Sequence, residues 1–256
     1  MKRKLFISDF DGTMFFGKAE IPLPPENAER IHAFQQTGGL FVLCTGRQLD
    51  RLTPQIEGKV EPDFYITSTG ACIVDRERKL VFHCGIPRGT AKALMRELRD
   101  TGRRLMLDVD GRLYGFVPRS FQNYQQISDV DEVPEGTIRQ ISLSAKTMEE
   151  AVAICADINA RSGGIVEAFP NTAWIDIVPR GCSKGTAARF LRDRLREALG
   201  DCTLYGIGDG LNDLPLIEAA DVSYTFPYAP EVVQKSATKV VENFCLALDD
   251  CLSGEA

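Results

Sequence analysis

Three short apolar runs in the chain each end abruptly in small or acidic residues. They occupy positions 5–7, 40–43 and 204–207. Continuous apolar runs of this kind are typical of buried parallel strands. In open sheets of parallel strands, ligands bind beyond the carboxyl ends of the strands. The pattern therefore predicts strands of one parallel sheet, with a candidate site where the runs end.

Helical patterns lie between and after these runs. Apolar residues recur at helical spacing in 28–34 and again in 187–195, and Ser183 is placed to cap the second helix. Strands that alternate with helices are typical of α/β proteins, in which helices cover both faces of a parallel sheet. We therefore expect an α/β fold with a doubly wound, Rossmann-like core domain.

The middle of the chain has a different order. A helical pattern is twice followed by two strand-like runs, and Asp110-Gly111 between the first two runs is typical of a hairpin turn. The two units are 91–98, 104–109 and 112–117, and then 148–158, 165–169 and 173–178. They predict an inserted α+β cap domain over residues 80–178, built from two related units. The core domain is then discontinuous and comprises residues 1–79 and 179–256.

Composition narrows the possible functions. Of the 256 residues, 44% are hydrophobic and 26% are charged, and the net charge of -6 disfavours nucleic acid as a partner. No apolar run approaches the length of a membrane span, and the first one ends at Ile7, too early for a signal peptide. The eight cysteines are dispersed without a C-x-x-C pair. We therefore expect reduced thiols in a cytoplasmic protein that does not contact membranes.

The first apolar run leads into a pair of aspartates, Asp9 and Asp11, followed by Gly12. Alternate side chains of an extended strand share a face, so both carboxylates can point into one site. Such a pair suits a nucleophile beside a general acid/base, with oxygen ligands for a hard cation such as Mg²⁺. The alternative is a charged strand end without chemistry. Residues 108–111 have the same spacing, but there it predicts a hairpin turn.

The other two predicted strand ends supply further polar groups beside Asp9 and Asp11, which the aspartates of residues 108–111 lack. The second run ends in Thr45-Gly46-Arg47, which offers a hydroxyl and a backbone N–H to a phosphate, and the third is followed by Asp209 and Asp213. Lys184 lies at the start of a predicted helix, where its ammonium and the positive helix end can both face an anion. Phosphoryl transfer to a carboxylate needs such parts together, because they cancel the charge of the phosphate.

These four segments resemble the four signature motifs of the haloacid dehalogenase superfamily, in the order and spacing of its phosphatases. The resemblance spans nearly the whole chain. The insert between the second and third motifs resembles the cap of the Cof-like, sugar-phosphatase-type subgroup, and residues 68–75 resemble that subgroup's N-G-A segment. The resemblance implies a Mg²⁺-dependent phosphatase that acts on a small phosphorylated metabolite, such as a sugar phosphate, through an aspartyl phosphate.

The same resemblance implies a role for each candidate residue. Asp9 would be the nucleophile and Asp11 the general acid/base, while Thr45 and Lys184 would hold the phosphoryl group. Mg²⁺ would be bound by the Asp9 carboxylate, the Asp11 main-chain carbonyl and Asp209. The remaining assignments are Asp213 as the group that orients Lys184, and Gly46, Arg47 and Asn212 as contacts to phosphate or substrate.

Two segments depart from the pattern of the subgroup. Thr69 stands where the subgroup usually has Asn, and residues 226–229 replace a Met-Gly-Asn-Ala segment. Because of both departures, the residues that contact the substrate cannot be assigned from the resemblance. For Trp174 we favour core packing over stacking on a ligand, and for Tyr228 a buried or surface position.

Other functions share parts of this pattern. A signalling receiver domain also forms an aspartyl phosphate, but it is much shorter and needs neither Asp11 nor a cap. A phosphomutase and a catalytically silent phospho-ligand sensor use the same scaffold. For Arg47 and Asn212, hydrogen bonds within a helix start or loop are an equal alternative to substrate contact. The sequence leaves open the oligomeric state and the substrate, among sugar phosphates, pyridoxal phosphate and flavin mononucleotide.

Overall fold

The computed structural model describes residues 2–120 and 123–254, which form two β-sheets with packed helices. The strands are β1 (Arg3–Ser8), β2 (Leu40–Cys44), β3 (Phe64–Thr67), β4 (Cys72–Asp75), β5 (Leu80–His83), β6 (Leu105–Val109), β7 (Arg112–Gly115), β8 (Tyr124–Gln126), β9 (Ile138–Ser144), β10 (Val166–Asn171), β11 (Trp174–Pro179), β12 (Cys202–Ile207), β13 (Val222–Thr225) and β14 (Lys239–Val240). The helices are α1 (Pro25–Gln36), α2 (Leu49–Ile56), α3 (Arg88–Arg99), α4 (Met148–Arg161), α5 (Lys184–Leu199), α6 (Leu214–Ala219), α7 (Glu231–Ser236) and α8 (Phe244–Ser253). Among these described helices, none combines the length and the apolar character needed to cross a bilayer.

The larger sheet has the strand order β14-β13-β12-β1-β2-β3-β4-β5. Its strands are parallel from β14 to β3, and β4 and β5 are added in antiparallel orientation. The three strands predicted from apolar runs lie side by side, with β1 between β12 and β2. Ser8 at the end of β1 is paired with Ile207 and with Leu43. The residues that follow these strands therefore meet at one edge of the sheet.

Alternating side chains of β1 enter apolar cores on opposite faces of the larger sheet. On one face the ring of Phe6 lies 5.9 Å from that of Phe34 in α1 and 6.1 Å from that of Phe244 in α8. On the other face Leu5 packs in a cluster that includes Leu191 of α5. Helices on both faces confirm the predicted doubly wound α/β core.

The smaller sheet has the order β10-β11-β9-β6-β7-β8 and is antiparallel except for the β7–β8 pair. Met95 of α3 and Ile158 of α4 share its apolar core with Ile141 of β9. The hairpin between β6 and β7 turns at Asp110 and Gly111, whose φ angles of 51° and 91° are those of the predicted turn. The inserted α+β cap is therefore confirmed.

Strand β9, which lies in the middle of the cap sheet, was not predicted. From Gln140 to Leu143 its side chains alternate, with Ile141 and Leu143 in the cap core and Gln140 and Ser142 on the opposite face. That alternation is a strand signal of period two. The polar face of β9 is directed toward the larger sheet and helps to form the cavity described below.

The chain passes between the two sheets twice. The first crossing follows β5, which pairs with β4 in the larger sheet, and the second lies between β11 and α5. The domain boundaries between residues 79 and 80 and between residues 178 and 179 stay predictions. Five residues of the predicted domains lie outside the described part of the chain, namely residues 1, 121, 122, 255 and 256.

One cysteine from each crossing joins a disulfide between Cys84 and Cys182. The expectation that all thiols are reduced was therefore wrong for this pair. The two residues are 98 positions apart in the sequence, and the connectivity of cysteines does not follow from their spacing.

Candidate active site

The candidate site lies at the edge of the larger sheet where β12, β1 and β2 end. Asp9 follows β1 directly, Thr45 follows β2 directly, and Asp209 comes two residues after β12. Asp9 and Thr45 are buried, whereas Asp209 is half-buried. Three neighbouring parallel strands thus bring together groups that are up to 200 positions apart in the sequence.

Gly12 allows the loop after β1 to approach Asp209 closely. Its φ is +82°, and a Cβ atom at this position would lie 2.5 Å from Asp209 Oδ2. Only glycine combines this conformation with the space that is available. The next residue, Thr13, donates a hydrogen bond from Oγ1 to Asp209 Oδ1 over 3.1 Å. The loop after β1 is therefore fixed against the end of β12.

Lys184 is fully buried between two carboxylates. Its Nζ donates to Asp9 Oδ1 over 2.5 Å and also to Asp213 Oδ1. Lys184 is the first residue of α5, and Ser183 caps this helix by accepting a hydrogen bond from the Thr186 N–H, as predicted. Burial alone lowers the pKa of Lys184, but the carboxylates of Asp213 and Asp9 outweigh it and raise this pKa well above its ordinary value. The buried lysine is therefore a cation.

Asp213 uses both of its carboxylate oxygens within the protein. Oδ1 accepts from Lys184, and Oδ2 accepts from the backbone N–H groups of Asp209 and Gly210 over 3.1 Å and 2.9 Å. A carboxylate held in this way fixes the lysine ammonium and has little capacity left for a metal ion. The contact is the one expected of a residue that orients Lys184.

Three carboxylates form an acidic cluster at the strand ends. Oxygen atoms of Asp9, Asp209 and Asp213 lie within 4.8 Å of one another. Burial, and then the charge of Asp213, raises the pKa of Asp9 in spite of Lys184, and the same two causes raise the pKa of Asp209 to about 6. A hard divalent cation would relieve this repulsion and binds oxygen ligands of this kind. Because Asp213 is already engaged, Asp9 and Asp209 are the carboxylates that fit such an ion.

The Asp11 carboxylate is held by Arg47 instead. Arg47 donates from Nη2 to Oδ1 over 2.5 Å and from Nε to Oδ2 over 2.7 Å. The guanidinium also lies 5.3 Å from the ring centroids of both Phe10 and Phe15. This two-pronged ion pair was not among the alternatives considered for Arg47. The ligand role expected of Asp11 involves its main-chain carbonyl and stays a prediction.

The segment after β2 lies under the cap. Thr45 Oγ1 accepts a hydrogen bond from the Arg47 N–H over 3.2 Å. A Cβ atom at Gly46 would lie 2.6 Å from Asp176 Oδ2 of the cap, and the Gly46 carbonyl accepts from Gln140 Nε2 over 3.3 Å. A glycine at this position therefore permits the close approach of the cap to the core.

The site opens into a cavity of about 340 Å³ between the two sheets. Its walls are mostly polar, which favours a hydrophilic ligand. From the core, the lining includes Asp9, Asp11, Thr45, Gly46, Arg47, Gln48, Arg51, Asp209 and Asn212. From the cap, it includes Gln140, Ser142, Asn171, Thr172, Trp174 and Asp176.

Cap residues are the part of the site that the sequence did not reveal. Asp176 is buried and accepts from Thr69 Oγ1, Asn171 Nδ2 and Gln140 Nε2 over 3.0, 2.9 and 2.8 Å. Burial raises the pKa of Asp176, although the hydrogen bonds from Asn171 and Thr69 oppose the rise. The alternation of polar residues in β9 was a usable signal for Gln140.

Two aromatic residues lie near the cavity. Trp174, which we expected in a core, is half-buried on the cavity wall instead, because it begins β11 at the edge that faces the site. Tyr228 is 56% exposed, as the surface interpretation expected. Its Oη donates to the Gly12 carbonyl over 2.7 Å, and its ring stacks on Phe226 with centroids 4.9 Å apart. The segment that departs from the subgroup pattern thus supports the loop that carries Asp9 and Asp11.

The chain is similar to known proteins over most of its length. The sequence profile of the haloacid dehalogenase-like hydrolases matches residues 6–244. An HMP-PP phosphatase of Yersinia pestis is 23% identical over 223 residues, which cover 84% of this chain and 80% of that protein. A haloacid dehalogenase-like hydrolase from B. subtilis superposes with a TM-score of 0.84 at 19% identity, covering 99% of this chain and 100% of its own. A sugar phosphatase of haloacid dehalogenase subclass IIB superposes with a TM-score of 0.75 at 19% identity, covering 97% and 95%.

Proposed function

This chain belongs to the family of haloacid dehalogenase-like hydrolases and is a phosphatase, and from that premise we propose that it hydrolyses a small phosphorylated metabolite by way of Asp9. The observation that carries the proposal is the buried contact of Asp9 with Lys184, at a strand end shared with Thr45 and Asp209. A carboxylate beside a fixed cation is arranged to receive a phosphoryl group.

In the first step Asp9 acts as the nucleophile. One of its carboxylate oxygens bonds to phosphorus while the bond from phosphorus to the leaving oxygen breaks. Asp11 gives its proton to the leaving oxygen, as a general acid does. Lys184 and the Thr45 hydroxyl stabilise the charge on the other phosphoryl oxygens.

In the second step water releases the phosphoryl group. Asp11, now a carboxylate, takes a proton from the water, whose oxygen bonds to phosphorus as the bond to Asp9 breaks. Inorganic phosphate leaves and the Asp9 carboxylate is restored. Arg47 donates to both oxygens of the Asp11 carboxylate in the present structure, so we expect Arg47 to change partner to the substrate when Asp11 acts as the acid.

Mg²⁺ is the cofactor that this set of groups fits best. When bound, it would be held by the carboxylates of Asp9 and Asp209 and by the main-chain carbonyl of Asp11, and it would neutralise phosphate charge. Burial and the charge of Asp213 raise the pKa values of Asp9 and Asp209, and a bound divalent cation would offset both causes, which supports the proposal.

The cavity supports the proposed substrate class. A volume of about 340 Å³ with polar walls suits a phosphorylated sugar or a compound of similar size. The similar proteins named above point the same way, since one is a sugar phosphatase and another an HMP-PP phosphatase. We place the reaction in the cytoplasm, where such metabolites occur and most thiols are reduced. Neither nucleic acid nor a membrane is part of the proposal.

The test is a set of phosphorylated metabolites assayed for release of inorganic phosphate with Mg²⁺ and with a chelator. We expect several monoesters to be hydrolysed, with loss of activity on chelation and in Asp9→Asn, whose amide is a poor nucleophile. Formation of an isomeric phosphate without free phosphate would favour a phosphomutase. Tight binding without turnover would favour a phospho-ligand sensor, and substantial turnover by Asp9→Asn would contradict the mechanism.

A further inference from the structure

The two crossings between core and cap meet at a pair of cysteines. Cys84 lies directly after β5, in the segment that leads to α3, and Cys182 lies between β11 and α5. The structure joins their sulfur atoms, and the α-carbons are 7.7 Å apart. The linkage therefore ties the two crossings to each other at one point.

The pair also lies next to catalytic elements. The Cys84 N–H donates to the Ala71 carbonyl over 3.0 Å, just after the loop at 68–70. A Cβ atom at Gly70 would lie 2.2 Å from the Ser183 carbonyl, so this loop is pressed against the residue that caps α5. Cys182 is two positions before Lys184. A change at the cysteine pair therefore acts on both crossings and on the start of α5 at once.

We propose that Cys84 and Cys182 are a reversible thiol-oxidation site that restrains the cap when oxidised. The proposal rests on the proposed function, since it assumes a cap that opens during turnover. A linkage between both crossings ties together the only segments through which the described chain passes from one sheet to the other. Oxidation is then expected to slow opening, and reduction to restore it.

The oxidant is a low-molecular-weight disulfide such as glutathione disulfide. The thiolate of Cys84 attacks one sulfur of that disulfide, forms a mixed disulfide and releases one glutathione thiolate. The thiolate of Cys182 then attacks Sγ of Cys84, which forms the bond between the two residues and releases the second glutathione thiolate. Two electrons pass to the small disulfide, and the two thiol protons go to solvent and the released thiolates.

Burial sets the order of these events. Cys84 is partly exposed and can be reached by a small disulfide, whereas Cys182 is only 7% exposed and is suited to the second, internal attack. Of the free cysteines that the structure describes, Cys245 is half-buried and the other five are buried. Cys245→Ser is therefore the matched control for Cys84→Ser.

The experiment compares the full chain after equilibration with glutathione disulfide and after reduction with dithiothreitol. Peptide mapping without reductant is expected to find the Cys84–Cys182 linkage only in the oxidised sample. Amide hydrogen exchange in 84–87 and 179–183 should be slower in that sample. Phosphate release from a phosphomonoester should show a kcat on the order of tenfold lower, as expected when opening limits turnover. Cys84→Ser should lose all three effects and Cys245→Ser should keep them.

Several results would overturn the proposal. Absence of the linked peptide rejects the site, and a linkage with unchanged exchange in both crossings rejects the restraint. Equal kcat in the two states, or the same oxidative loss in Cys84→Ser, rejects control of turnover by this pair. If the reduced protein released no phosphate from any substrate, the proposed function would fail, while mapping and exchange would still decide the cysteine proposal.

Discussion

Arg47 and Lys184 neutralise different carboxylates, and this division supports the separate roles proposed for the two neighbouring aspartates. Lys184 is buried against Asp9, whereas Arg47 reaches Asp11, whose side chain is 47% exposed. A nucleophile needs a fixed position and partial charge cancellation. A general acid/base needs to exchange protons, which an accessible carboxylate with a movable partner allows.

Asp11→Asn should distinguish substrates by their leaving group. The amide cannot give a proton to a basic alkoxide, so hydrolysis of alkyl phosphates should fall on the order of 10²-fold or more, the typical scale of general acid–base catalysis. Nitrophenolate needs little such help, so its release from nitrophenyl phosphate should fall much less. Because the second step needs the same residue as a base, pre-steady-state release should show a burst followed by a slow phase.

The hairpin at 108–111 supplies the control for that variant. Asp110 stands in a D-x-D-G sequence of its own, at a φ of 51° that asparagine tolerates well. Asp110→Asn should therefore leave both substrates unaffected. Equal losses with both substrate classes in Asp11→Asn, and no burst, would make Asp11 a structural carboxylate.

The raised pKa of Asp209 predicts a pH dependence of stability. Without metal, the raised pKa of about 6 keeps a proton on Asp209 in the folded protein up to about pH 6, while the unfolded chain loses it near the ordinary pKa of 3.8. The folded state then binds more protons in this window, so the contribution of Asp209 to stability decreases as the pH rises through it. Above about pH 6 the carboxylate is charged and is available to Mg²⁺.

Mg²⁺ should therefore stabilise the protein above this window and not within it. At a free concentration of 100 times Kd the expected gain is about 2.7 kcal/mol, and it should disappear as the pH falls below about 6. Thermal unfolding with and without Mg²⁺ at pH 5 and pH 7.5 measures this difference. Asp209→Asn should abolish the gain at pH 7.5. An equal gain at both values in the unchanged protein would mean that Asp209 is not a ligand.

At the scale of elements, the sequence predicted what depends on short-range patterns. The apolar runs gave β1, β2 and β12, and their polar ends gave Asp9, Thr45 and Asp209. Strands β3 to β5 were missed because runs of only four residues carry little periodicity. The partners of Arg47 and Asp176 were missed because they come from other elements, and only the packing of those elements brings them into contact.

Close packing between α5 and the segment that carries Asp213 gives an element-scale prediction. A Cβ atom at Gly185 would lie 1.8 Å from the Pro215 carbonyl oxygen, which belongs to backbone and has little room to move. Gly185→Ala should therefore force α5 away from α6 and cost about 1–3 kcal/mol, as overpacking does. Because Lys184 begins α5, the contact of its ammonium with Asp213 should lengthen and kcat should fall.

Gly89→Ala is the matched control, since Gly89 lies in the first turn of α3 and a Cβ atom there meets no other atom within 4 Å. That change should stabilise the protein by about 0.4–1 kcal/mol through the unfolded state. Urea unfolding of both variants, with kcat for each, checks the prediction. Unchanged stability and kcat in Gly185→Ala would show that α5 and α6 are not held as tightly as this contact implies.

At the scale of the whole molecule, the loop after β3 fastens the cap to the core. Ser68 and Thr69 have φ angles of 50° and 54°, and each donates its hydroxyl to a buried cap carboxylate. Ser68 Oγ lies 2.6 Å from Asp108 Oδ2, and Thr69 Oγ1 lies 3.0 Å from Asp176 Oδ2. A β-branched residue is rare in the left-handed region, whereas asparagine is common there. Asparagine would therefore adopt the backbone conformation of Thr69 with less strain.

Thr69→Val should loosen the closed position of the cap. The substitution keeps the branched shape but removes the donor, so buried Asp176 loses one hydrogen bond, at a cost of about 1–3 kcal/mol to the closed state. A substrate that depends on cap residues for binding should lose kcat/KM, while acetyl phosphate, which is too small to fill the cavity, should lose less. Small-angle scattering should show a more open average shape.

Thr69→Ser keeps the hydroxyl and should behave like the unchanged protein in both measurements. If Thr69→Val and Thr69→Ser gave the same ratio of kcat/KM between the two substrates and the same scattering, the hydroxyl contact with Asp176 would have no part in closing the cap.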